Sequence, residues 1–72
     1  MDALEMHKKN QEIFFEELFN MTDEEFSNRC KSNGHFLNFF EVNSLGYEIA
    51  RIDSCTIARA LMARLERNKK HP

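Results

Sequence analysis

The stretch from Ser44 to Lys70, SLGYEIARIDSCTIARALMARLERNKK, constrains the fold more than any other part of the chain. Wound as a helix, it carries apolar and small residues on two different faces. Tyr47, Ala50, Ser54, Ile57, Leu61 and Leu65 form one seam at near-heptad spacing, and Leu45, Ile49, Ile52, Thr56, Ala60 and Ala63 form the other. A helix with one wet side shows a single stripe, so two stripes predict contacts on two sides.

Unbroken from Leu45 to Asn68, this helix would be about 36 Å long. A compact domain of this size has a radius of gyration of only about 11 Å. Two outcomes fit. Either Asp53-Ser54 breaks the stretch and one of them caps a final helix over a single stripe, or the helix runs through and a second chain covers the exposed face. Asp53, Ser54, Cys55 and Thr56 in succession are poor helix interior, which favours the break.

Upstream, the sequence predicts a first helix from about Asp2 or Ala3 to Asn20. Leu4, Phe14, Phe15, Leu18 and Phe19 share an apolar arc, with Glu5, Glu12 and Glu16 opposite. His7 and Gln11 sit inside that arc, and His7 reads as a histidine at the fraying end of a core stripe. Met6 and Ile13 fall on the far side. Thr22-Asp23-Glu24-Glu25 is a capping box that opens a second helix, whose inward face is Phe26 and Cys30. Ser32-Asn33-Gly34 predicts its end, with Gly34 in the left-handed position after the last turn.

Residues His35 to Asn43, HFLNFFEVN, admit two readings. As a helix they gather Phe36, Leu37 and Phe40 on one side. As a strand they lead through Asn43-Ser44-Leu45-Gly46 into a hairpin over about 36–52. Helix is favoured, because both faces of the hairpin would be apolar and two strands alone are marginal. With one Val, two Thr, and abundant Glu, Ala, Leu, Lys and Arg, the chain is poor in strand formers. The expected fold is therefore all-α, a compact three- or four-helix domain. The alternative is α+β, with two N-terminal helices, the hairpin and a C-terminal helix. Residues 1–72 read as a single small domain with a frayed tail over 68–72.

The charge is uneven. Residues 1–50 carry ten acidic and four basic side chains, and residues 51–72 carry six basic and two acidic. Such a chain can neutralise itself by packing end on end, pair with a second copy, or offer its basic end to an anionic partner. MDALEMHKK lacks the apolar core of a signal peptide, and no run approaches a membrane span. The expectation is a cytoplasmic protein with no membrane association, with Cys30 and Cys55 as free thiols.

Catalytic and metal chemistry find little to build on. Cys30 and His35 are the nearest pair of metal-ligand types, and Gly34 stands between them. Gly34 and Gly46 stand alone, so no phosphate loop is present. The acidic run Asp23-Glu24-Glu25 is accounted for by helix capping. The sequence predicts no enzyme, no cofactor and no metal.

Two functional readings remain. Phe15, Phe19, Phe36, Phe39 and Phe40 exceed what one short core requires, and surplus aromatics with charged rims are the material of binding hot spots. They predict a small intracellular adaptor, inhibitor or other regulator that docks on a partner protein or on a second copy of itself as a homodimer. The alternative is a DNA- or RNA-binding regulator that contacts phosphates through Arg59, Arg67 and Lys70, which share one face of the last helix. Glu48 to Arg51 and Thr56 to Leu61 faintly follow helix-turn-helix grammar, although the interval Ile52 to Cys55 is too short and lacks glycine.

Overall fold

The computed structural model describes residues 2–70, the side chain of Lys70 excepted. Among the described residues the protein is all-α: α1 (Ala3–Lys9), α2 (Gln11–Asn20), α3 (Asp23–Phe39) and α4 (Leu45–Lys70). There is no strand among them, so the hairpin over 36–52 is corrected to helix on both sides of a turn.

The single N-terminal helix expected from the sequence is instead two, meeting at Asn10. Asp2 caps α1 by accepting from the Glu5 amide at 2.8 Å, and His7, Lys8 and Lys9 complement the dipole of its last turn. Asn10 takes φ −83° and ψ 2°, outside the helical well. The cause lies next door. The Gln11 side-chain amide donates to the His7 carbonyl at 2.9 Å, and a side chain that inserts into the backbone ladder bends a helix.

The capping box forms as expected. The Glu25 amide donates to Thr22 Oγ1 at 3.1 Å, and the Thr22 amide donates back to Glu25 Oε1 at 3.0 Å. The stop at Gly34 does not occur, because α3 continues through it to Phe39. Glycine in a helix interior costs about 1 kcal/mol against alanine. The turns on either side supply more: Asn33 is buried and donates to Ser54 Oγ at 2.6 Å, and Phe36 and Phe40 reach α4. The turn that does end α3 uses Asn43 at φ 70°, a left-handed conformation that asparagine tolerates. Ser44 then caps α4, its Oγ accepting from the Tyr47 amide at 3.2 Å.

The break expected at Asp53-Ser54 is absent, and α4 runs unbroken through Lys70. Of the residues that are poor helix interior, Asp53, Ser54 and Thr56 spend their side chains on other helices, and Cys55 is exposed. Asp53 Oδ1 lies 2.7 Å from His7 Nε2 and 3.4 Å from Gln11 Nε2. Ser54 accepts from Asn33, and Thr56 Oγ1 donates to Gln11 Oε1 at 2.5 Å. Tertiary hydrogen bonds outweigh local propensity here. The tail expected over 68–72 is helical as far as Lys70, and the rest lies outside the described residues.

A 26-residue helix is about 39 Å long, close to the 42 Å long axis of the molecule, whose other extents are 26 and 15 Å. The pairings set the directions. His7 faces Asp53 and Phe19 faces Arg67, so α1 and α2 run with α4. Phe26 lies by Arg64 and Asn33 by Ser54, so α3 runs against it. Leu18, Phe26, Ile57 and Ala60 form the buried cluster, with Phe14, Phe15, Met21 and Cys30 packed against it. The buried stripe of α4 is Ala50, Thr56, Ile57 and Ala60, drawn from both expected seams, with Arg64, which belonged to neither, while Leu61 and Leu65 remain exposed.

Candidate functional site

The five phenylalanines singled out by the sequence separate into two groups. Phe15 and Phe19 lie on α2, stacked with centroids 6.3 Å apart, and both are half-buried. Arginines cover them: Arg59 sits 5.0 Å above the Phe15 ring and Arg67 4.7 Å above the Phe19 ring. Phe36, Phe39 and Phe40 gather at the other end of α4, at the end of α3 and in the turn that follows it. Phe36 stacks on Phe40 at 6.0 Å, and Phe39 meets Phe40 edge to face at 5.3 Å. Phe39 is 75% exposed and Phe36 49%, and Val42 and Leu45, a few residues further along the chain, are exposed as well.

Gly46 seats this group. A Cβ there would fall 2.6 Å from the Phe40 ring, so only glycine lets the ring lie against the first turn of α4. Phe36 and Phe40 thereby line a shallow groove of about 310 Å³ together with Asn33, Gly46, Ile49, Ala50 and Asp53. The groove is almost wholly apolar, and its chemistry is that of a surface that takes up apolar side chains.

Of the candidate phosphate contacts, Arg59 and Arg67 have partners within the chain, although Arg59 stays exposed and only Arg67 is half-buried. Arg59 Nη2 lies 3.7 Å from Glu12 Oε1, and Arg67 Nη1 donates to the Phe19 carbonyl at 2.7 Å. The Lys70 side chain lies outside the described residues. The helix-turn-helix pattern is corrected by the continuity of α4 through Ile52 to Cys55.

Sequence reasoning missed two polar assemblies. The first is Arg64, only 4% exposed. Its Nη1 donates to the carbonyls of Leu18, Phe19 and Met21, its Nη2 donates to Asp23 Oδ1 at 2.5 Å, and its guanidinium lies over Phe26. It satisfies the carbonyls that the end of α2 leaves without helical partners. The signal was present, since Arg64 stands four residues after Ala60 and seven after Ile57. The second is the belt of His7, Gln11, Asp53 and Thr56, where His7 is the partner of a carboxylate and not a fraying core residue. Both cysteines are free, Cys30 half-buried and Cys55 exposed.

No group of three or more His, Cys, Asp or Glu stands close enough to hold a metal ion among the described residues, and no helix there is long and apolar enough to cross a membrane. Comparison with protein-family models, curated proteins and solved structures finds no match to this chain.

Proposed function

We propose that this chain is a small intracellular protein-binding regulator, an adaptor or inhibitor, that works by docking the patch of Phe36, Phe39 and Phe40 on a partner protein. The observation that carries the reading is the exposure of Phe39, a large ring held outward at the end of a helix by its edge contact with Phe40. Rigid aromatic anchors lose little conformational entropy on binding and supply large contact area. Phe15 and Phe19 belong to the internal packing of α2 on α4 and stand outside the proposed surface. The phosphate-binding alternative draws less support, because Arg59 and Arg67 already have partners within the chain.

The test compares immobilised wild-type chain with its Phe39→Glu variant, each challenged with a lysate of the source cells and with untagged copies of the chain. Retention of a protein by the wild type and its loss in the variant is the expected result. Equal retention by both, or by neither, overturns the reading.

A further inference from the structure

We propose that the occupant of the patch formed by Phe36, Phe39, Phe40, Val42 and Leu45 is a second copy of this chain, the two patches meeting face to face about a two-fold axis. The inference rests on the docking reading above and names its partner.

Area argues for it first. The surface that a standard-size interface takes from each partner is about 800 Å². The five side chains expose 49, 75, 36, 69 and 55% of themselves. At about 200 Å² for each Phe and somewhat less for Val and Leu, that is on the order of 500 Å². A homodimer face of about 800 Å² that is about 65% apolar needs the same amount.

Charge argues for it second. From Phe36 to Tyr47 the only ionisable carboxylate or base is Glu41. Next in sequence, Glu48 is paired with Arg51 at 3.0 Å within α4, and the Asp53 carboxylate that lines the groove lies 2.7 Å from His7. A near-neutral patch has no field for an oppositely charged partner to complement, and it sets little like charge against like when it meets its own copy. The rival apolar strip on α4, Leu61, Met62 and Leu65, is followed directly by Glu66 and then by Lys69, and it is smaller. The core argues in the same direction: Leu18 is the one large apolar side chain with no exposure among the described residues, and small domains of this kind gain stability from association.

The experiment is sedimentation equilibrium of the wild type and of Phe39→Glu, Val42→Glu and Leu65→Glu up to about 100 μM, the range in which an interface of this size holds. Helical circular dichroism confirms that each variant is folded. The wild type is expected at twice the 8.6 kDa monomer mass. Phe39→Glu and Val42→Glu are expected to weaken the dimer at least about tenfold, and Leu65→Glu to leave it intact. A monomeric wild type overturns the inference, and so does a dimer lost in Leu65→Glu but kept in Phe39→Glu. If the wild type is monomeric yet still retains another protein through Phe39, the second-copy inference fails while the docking reading stands.

Discussion

The guanidinium of Arg64 donates to the Met21 carbonyl at 2.7 Å, and through this bond the last third of the chain closes the end of α2. The same Nη1 takes the Leu18 and Phe19 carbonyls, so one buried side chain serves three backbone acceptors. Replacing it leaves the Leu18 and Met21 carbonyls without this donor, while the Phe19 carbonyl keeps Arg67, and it strips the guanidinium from Phe26. Arg64→Ala is expected to cost about 2–4 kcal/mol of stability in urea unfolding. Asp23, by contrast, is 92% exposed. Asp23→Asn is expected to cost less than about 1 kcal/mol, because solvent screens the pair. Equal losses from the two variants would show that the ion pair, and not the carbonyl bonds, holds the turn.

Gly34 offers the opposite sign. It stands inside α3, and nothing lies within 4 Å of where a Cβ would be. Gly34→Ala is therefore expected to stabilise the protein by about 0.5–1 kcal/mol, raising the thermal midpoint by several degrees. A destabilised variant would mean that position 34 needs the left-handed conformation after all.

These two residues show where the sequence is legible and where it is not. Local chemistry reads correctly when it stands alone: Thr22 and Glu25 cap α3 as their spacing predicts, and poverty in strand formers yields an all-α fold. It misleads where distant partners compete. Gly34 looks like a stop until Asn33 is bonded to Ser54, and Asp53-Ser54 looks like a cap until His7, Gln11 and Asn33 reach it. Those bonds join residues 21 to 46 positions apart, and no window of a few residues contains them. The aromatic surplus was visible as composition. Its division into a covered pair on α2 and an exposed group after α3 depends on which arginines of α4 lie over which rings.

Acid should act through the capping box. The backbone hydrogen bond from Thr22, and then its side chain, hold the Glu25 carboxyl below its ordinary value in the folded protein. A group whose folded value is depressed contributes stability that is present above its unfolded value and lost as pH falls through the folded one. Glu25→Gln keeps an acceptor for the Thr22 amide and removes the titration. Between neutral pH and about pH 3, the wild type is expected to lose more stability than this variant. Parallel loss in the two proteins would remove Glu25 from the acid response.

The polar belt predicts coupling between helices that are far apart in sequence. His7 and Asp53 are about a quarter exposed, at 27% and 24%, and their bond is 2.7 Å. Asp53→Ala also removes the acceptor of Gln11, so it is expected to cost about 1–2 kcal/mol. Since His7 and Asp53 touch, their separate losses should not add: a double-mutant cycle is expected to return a coupling of about 0.5–1 kcal/mol, at the low end for contacting residues because solvent reaches the pair. The Gln11 bond to Asp53 is longer, at 3.4 Å, and Gln11 is tied more closely to the His7 carbonyl and to Thr56. Gln11→Ala should therefore cost stability even in the Asp53→Ala background. Strict additivity of His7→Ala and Asp53→Ala would mean that α1 is held on α4 by apolar contacts alone, and that the polar residues 53–56 have some other reason to stand in the middle of a continuous helix.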